Sequence, residues 1–290
     1  MTAGRVHCIG AAHWDVLGTV PGAVRRGDDL PGRVRRVPGG VALNVARWLA
    51  AEGLAPSLLA AVGDDAAGAE LLAAAAATGI SCADVLKVPG QATGTYIAIE
   101  AATGLVAAVA DTGVMTVAGV GVLSPLQWGD SVACAVLDGN LASEVLAAAV
   151  AALEGAELCV VGASPAKAAR LRSVLGHPRV TLYLNRAEAA ALCGVRFRAA
   201  HTAARTLCGM GAVGALVSDG ARAAAWADVD GCITAMPPSV RVARVTGAGD
   251  RLLAAHLAAR LRGLDAAAAL DHALQRAAAH ISSEETPCAP

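Results

Sequence analysis

Short runs rich in β-branched and apolar residues alternate with longer Ala/Leu-rich stretches along most of the chain, and this alternation leaves little choice of architecture. Strands are expected at 5–9, 57–62, 132–137, 158–161, 181–184 and 215–218, with helices at 43–52, 66–77, 144–153, 165–175, 187–192, 201–210 and 249–261. Repeated strand–helix–strand units stack into a mostly parallel sheet with helices on both faces, the α/β class. Ligands of such sheets bind beyond the carboxyl ends of the strands, so polar residues just after a strand are where chemistry is sought. Two stretches break the alternation. Residues 16–37 are rich in Gly and Arg, and in 93–110 the runs Tyr96 to Glu100 and Leu105 to Ala110 flank a turn at 102–104. Both read as one small β flap inserted into a single domain, 1–290; an exposed flap pairs with a second copy or closes over a ligand.

Composition removes whole classes of function. With 23 Lys+Arg against 24 Asp+Glu, and the basic residues dispersed, no polyanion-binding face is announced and nucleic acid is not an expected partner. Only seven residues are aromatic (Trp 4, Tyr 2, Phe 1), too few for a base-stacking platform. The one uncharged run long enough to span a membrane, 112–129, holds Gly, Pro, Gln and Ser/Thr residues and reads as loop and turn. Arg5 and His7 interrupt what would be the apolar region of a secretory signal, so a cytoplasmic location is expected. The 8 cysteines form no Cys-x-x-Cys pair and read as reduced, structural thiols.

Four motifs carry candidate chemistry. In Val245-Thr246-Gly247-Ala248-Gly249-Asp250, a Gly-x-Gly turn opens a helix, aiming backbone N–H groups and the positive end of the helix dipole at an anion. Asp250 beside that anion either accepts a proton from an attacking hydroxyl or is an N-cap. Pro38-Gly39-Gly40 leads to Asn44, which can read a diol or be a buried, satisfied amide. Asp15, just past the first strand, can accept hydrogen bonds from sugar hydroxyls or serve as a turn residue. Asn185 and Glu188, at i and i+3 after a strand, suit a hydrated Mg²⁺ or phosphate oxygens and equally match a helix capping box.

Taken together and in this order, these motifs resemble the ribokinase-like (PfkB) family of carbohydrate and nucleoside kinases over nearly the whole chain. Gly39-Gly40 to Asn44, with Val62-Gly63-Asp64-Asp65 and Gly68 beyond, is similar to the family's first signature, and Val245 to Asp250 to its second. The resemblance implies a ribokinase-like α/β fold with a β lid at about 16–37 and 93–110, and a homodimer formed through that lid. It implies ATP and Mg²⁺ as cofactors, Asp250 as general base, and Gly247, Ala248 and Gly249 as the anion hole. Asp15, Gly39, Gly40, Asn44, Asp111 and Asn140 would then hold a small-molecule acceptor. Asn185, Glu188, Ser218, Gly220, Thr246 and Arg251 would hold the nucleotide, with Glu188 reaching Mg²⁺ through water.

Within the family, Ile9 to Val16, the Pro-Gly-Gly-Val form of the first signature, Val136-Leu137-Asp138-Gly139-Asn140 and Ser282 to Thr286 are most similar to pseudouridine kinases. The expected reaction is ATP-dependent phosphorylation of the pseudouridine 5′-hydroxyl; another nucleoside, a pentose, or a catalytically silent binding module of the same fold are the alternatives. A dinucleotide-binding dehydrogenase is disfavoured because Gly247-Ala248-Gly249 lacks the fingerprint's third Gly.

Several positions depart from the family pattern. Arg244 stands where many relatives carry an Asp that orders a cation loop, which predicts little potassium dependence. The nucleotide-loop stretch Gly220-Ala221-Arg222-Ala223 has lost its second Gly, and His13 replaces a common Asn. Arg251, a cation in a first helical turn, is disfavoured there by about 0.3–1 kcal/mol unless it meets an anion, so it reads as a donor-phosphate contact or a solvated side chain. The chain stops soon after Ser282 to Thr286, so the resemblance implies that the final helix of longer relatives is missing and the adenine pocket is open.

Overall fold

The computed structural model describes residues 5–101, 104–126, 132–243 and 246–283. Strand β1 (Arg5–Ile9) turns into β2 (His13–Thr19), followed by β3 (Arg33–Gly39), α1 (Val41–Ala51), β4 (Pro56–Leu59), β5 (Ala61–Gly63) and α2 (Ala66–Ala76). Next come β6 (Leu86–Val88), β7 (Thr95–Ala101), β8 (Gly104–Asp111), α3 (Gly113–Ala118), β9 (Val132–Asp138), α4 (Ser143–Ala152) and β10 (Glu157–Val161). After a 3₁₀ segment, Pro165–Ser173, the chain forms β11 (Val180–Asn185), α5 (Arg186–Cys193), α6 (Ala200–Gly209) and β12 (Gly214–Asp219). It ends with β13 (Arg222–Asp228), β14 (Gly231–Ala235), α7 (Ala248–Leu261) and α8 (Ala266–Ser282).

The main sheet has the order β14-β13-β12-β11-β10-β9-β1-β4 and is parallel from β12 to β4, with β13 and β14 antiparallel at one edge. Alternate residues of each central strand feed opposite faces, the period-2 rule of a pleated strand. Leu137, Leu158, Val160 and Leu182 pack into one buried cluster, whereas Val136, Cys159, Val161 and Tyr183 pack into another. Burial on both faces explains why these strands read as continuous apolar runs. Helix α7 is buried from Asp250 to Ala259, apolar all round apart from a few polar groups, and lies beneath the second cluster against α1 and α8.

A second sheet, β3-β2-β7-β8, forms the lid. It begins at His13 rather than 16, because β2 leaves the main sheet directly after β1, and this moves Asp15 from a loop onto a lid strand. The apolar run 57–62 is interrupted at Ala60: β4 stays in the main sheet while β5 pairs with β6. Every residue from Pro56 to Gly63 is buried, so hydropathy carries no mark of the break.

Other departures are local. The stretch expected to be an α-helix at 165–175 winds as 3₁₀ with i→i+3 bonds such as Lys167 N–H to Ser164 C=O, 3.0 Å. The run 112–126 forms α3 and a 3₁₀ turn rather than loop, and 127–131 lie outside the described residues. The supposed nucleotide loop at Gly220 is a tight hairpin turn, with Arg222 and Ala223 already in β13. Seven of the cysteines are free, and Cys8, Cys134 and Cys159 are buried; Cys288 lies outside the described residues. Among the described residues no helix is long and apolar enough to cross a membrane.

Candidate active site

A cavity of about 670 Å³ opens at the carboxyl ends of β1, β9, β10, β11 and β12, between the main sheet, the lid and the start of α7. It gathers nearly all the expected residues. Asp15, Gly40, Asn44 and Asn140 line the side nearest the lid; Asn185, Glu188, Ser218 and Gly220 line the opposite side; Thr246 to Asp250 lie between them.

The lid side is built on close backbone packing. Gly40 precedes α1 with φ +99°, and a Cβ there would strike the Ala11 carbonyl, so only glycine brings α1 this near the β1–β2 corner. Gly39 does not line the cavity. It leaves room for the Asp15 carboxylate, which a Cβ at 39 would overlap, and this corrects its reading as a direct substrate contact. The Asp15 carboxylate lies 2.9 Å from His13 Nδ1. Asp138, fully buried at the end of β9, accepts N–H bonds from Ala11 (3.0 Å) and Asn140 (2.7 Å), tying this corner of the cavity together. Burial pushes its carboxyl above the usual range despite these donors.

Gly247 adopts the left-handed conformation (φ +80°) at the start of α7 and offers no side-chain cap. The first intrahelical bond is Arg251 N–H to the Gly247 carbonyl (2.9 Å), so the amides of Ala248, Gly249 and Asp250 precede the ladder. From α8, His280 Nε2 lies 2.9 Å from the Thr246 carbonyl and braces the turn. Asp250 is buried, and Asn44 Nδ2 donates to its Oδ2 at 3.0 Å. Burial first, and then the charges of Asp138, Asp15 and Glu188, push its pKa up to about 7 against the Asn44 bond. A carboxylate poised near neutrality suits a general base.

Both readings of Asn185 and Glu188 hold at once. The capping box is complete, with Asn185 N–H to Glu188 Oε2 at 2.8 Å and Glu188 N–H to Asn185 Oδ1 at 2.9 Å, yet both residues line the cavity. Burial raises the Glu188 carboxyl, opposed by its bonds from Asn185, and no Lys or Arg pairs with it among the described residues. A buried carboxylate without a counter-ion fits a divalent cation. No cluster of three or more ligating side chains exists among the described residues, so Mg²⁺ held there would take most of its ligands from phosphate and water.

Two further expectations change. Asp111 is exposed and accepts the Gly113 N–H (3.2 Å), while its neighbours Ala110 and Thr112 line the cavity. Arg251 neither reaches the cavity nor points to solvent. It lies over the Trp48 ring and pairs with Glu52 Oε1 at 2.9 Å, because the buried Glu52 carboxylate at the end of α1 draws it away. Arg244 and Val245 lie outside the described residues, as do Glu284 to Pro290. Lys167 and Tyr96 line the cavity and were not singled out from the sequence. Lys167 carries a signal in hindsight: it is one of only two lysines and follows a strand end.

An uncapped helix start, a buried carboxylate raised to about 7 and a second carboxylate, Asp15, in one cavity are the parts that phosphoryl transfer to an alcohol group requires. The family model for pfkB carbohydrate kinases matches residues 3–288, and the chain belongs to that family. Over 262 residues it is 31% identical to the pseudouridine kinase of Escherichia coli (strain K12), covering 85% of this chain and 80% of that protein. Among solved structures, a carbohydrate kinase from Agrobacterium tumefaciens superimposes with a TM-score of 0.80 at 27% identity, covering 97% of this chain and 92% of the other. Arabidopsis thaliana ribokinase complexed with ribose and ATP superimposes with a TM-score of 0.79 at 17% identity, covering 99% and 95%, and shares the fold.

Proposed function

We propose that the chain transfers the γ-phosphoryl group of ATP to the 5′-hydroxyl of pseudouridine. The observation that carries the chemistry is the buried Asp250 carboxylate, raised to about 7, at the uncapped start of α7 and in the same cavity as Asp15 and Asn44. The choice of acceptor is supported by the 31% identity to a pseudouridine kinase. Asp250 accepts the hydroxyl proton, and the amides of Ala248 and Gly249 face the negative charge of the transferring group. Asn185 and Glu188 would hold Mg²⁺ through water, and the ion would supply charge neutralisation for the phosphates. Asp15 and Asn44 hold ribose hydroxyls under the lid.

Calorimetry on single variants tests the acceptor side. Asp15→Ala and Asn44→Ala should each weaken pseudouridine binding by about 1–3 kcal/mol, since partner hydroxyls are left buried and unpaired, while ATP affinity stays within about twofold. Equal losses for both ligands would contradict this division of the cavity. Asn44→Ala also removes the bond that holds Asp250 down, so the acid limb of its kcat/KM profile should move to higher pH.

The lid carries an exposed apolar face, with Val34, Ile97, Ile99 and Val109 at 76%, 48%, 43% and 67% exposure. A second copy of the chain covering it completes the proposal. Light scattering should give a dimer for the wild type and a monomer for Ile97→Asp/Val109→Asp; a monomeric wild type would refute the interface.

A further inference from the structure

A cavity that takes a polyphosphate needs positive charge, and this one is lined by three carboxylates, Asp15, Glu188 and Asp250, above a fourth, Asp138. With Arg251 drawn into its pair with Glu52, Lys167 is the only Lys or Arg lining the cavity among the described residues. Its ammonium donates to Asn140 Oδ1 at 2.6 Å, and Asn140 in turn donates through Nδ2 to Asp138 Oδ1 at 2.9 Å. The partner is therefore a neutral amide. No carboxylate pairs with Lys167 among the described residues, so its charge is uncompensated, and two of its three N–H donors remain for a ligand.

Sheet order adds a second, independent argument. Beyond β1 and β9 lie the acceptor-side residues Asp15 and Asn140; beyond β11 and β12 lie Asn185, Glu188 and Ser218. The segment that carries Lys167 follows β10, the strand between these two pairs. The Lys167–Asn140 bond and the Arg170 bond to the Asn140 carbonyl (2.6 Å) hold this segment against the acceptor side.

We propose that Lys167 is a catalytic residue whose ammonium contacts the phosphoryl group as it passes from donor to acceptor, an inference that rests on the kinase reading above. In that step the acceptor oxygen bonds to the γ-phosphorus as the bond to the β–γ bridging oxygen breaks. The hydroxyl proton goes to Asp250, the bonding pair leaves with ADP, and Lys167 keeps its own protons throughout, acting as a fixed charge.

Calorimetry of Lys167→Met with ADP and with a non-hydrolysable imido analogue of ATP, each with Mg²⁺, reads the contact without turnover. The expected result is unchanged ADP affinity, about tenfold weaker binding of the imido analogue, and unchanged acceptor affinity. Turnover should fall about 10²- to 10³-fold, with partial recovery in Lys167→Arg and in Lys167→Ala supplied with ethylammonium. Equal weakening of ADP and the imido analogue, loss of acceptor affinity alone, or unchanged turnover would overturn the proposal. A wild-type protein that binds neither nucleotide would overturn the kinase reading and this inference together; wild-type binding with an unaffected variant overturns only the role of Lys167.

Discussion

Asp250→Asn should lower turnover about 10²- to 10⁴-fold, the usual contribution of a positioned base, while leaving pseudouridine binding largely intact. The same variant should gain stability. The folded-state pKa of Asp250, about 7, lies above that of an unfolded Asp, so its contribution to stability is present at acid pH and lost as pH rises through 7. An amide cannot ionise and escapes that loss. At pH 8 the variant should therefore be more stable than wild type by on the order of 4 kcal/mol, with the difference closing toward pH 4. For the wild type, kcat/KM should fall below an apparent pKa of about 7. Thermal unfolding at the two pH values and steady-state kinetics check both halves. Near-wild-type turnover in Asp250→Asn would remove the residue from the mechanism.

The second large effect is structural. Glu52, with a side chain 1% exposed, receives Arg251 (2.9 Å), Arg276 (3.1 Å), Arg262 (3.3 Å) and His272 (3.2 Å). Burial favours its neutral form, but Arg251, Arg276 and the further donors outweigh burial and hold its carboxyl below the usual range. Its contribution to stability is thus present above the ordinary Glu range and lost as pH falls below it. Glu52→Ala strands the buried Arg251 guanidinium and should cost about 3–5 kcal/mol. That corresponds to a Tm lower by roughly 6–20 °C. Arg251→Met should cost less, since three cationic or hydrogen-bonding partners still surround Glu52. A loss under about 1 kcal/mol in Glu52→Ala, measured by urea unfolding, would show that solvent replaces the network. Glu52 caps the end of α1, which carries Asn44, and Arg251 and Asp250 share α7, so the ion pair joins the same two helices that the Asn44–Asp250 bond joins.

The parallel sheet was legible because doubly buried strands must be apolar throughout, and the crossover helices because Ala/Leu stretches separate them. The same continuity hid the break at Ala60, where nothing in the hydropathy distinguishes leaving the sheet from staying in it. β13 escaped notice because Arg222-Ala-Ala-Ala-Trp-Ala-Asp is poor in strand formers; its conformation comes from antiparallel pairing with β12. α8 does carry a legible stripe, Ala269, Leu270, Ala273 and Leu274, and is the support that α7 and Thr246 lean on.

In the site, glycines and polar residues after strands pointed to the cavity because backbone chemistry at those places has few other uses. Gly39 and Arg251 were misread for a common reason. Each sits beside a site residue, but its direction is set by a distant partner, Asp15 for one and Glu52 for the other. Adjacency along the chain says nothing of such pairings. Lys167 was overlooked for the converse reason: it stands out only as the one Lys or Arg among the described residues that line a cavity which the folded chain assembles.

The most direct test of the account is a phosphoryl-transfer comparison with ATP and Mg²⁺ against pseudouridine, uridine, cytidine, adenosine, ribose and fructose, with the product position assigned by phosphorus NMR. The account predicts pseudouridine 5′-phosphate, with kcat/KM for pseudouridine at least about tenfold above every other acceptor, a difference of about 1.4 kcal/mol in transition-state binding. A free sugar preferred over pseudouridine, or no transfer to any of the six, would contradict it.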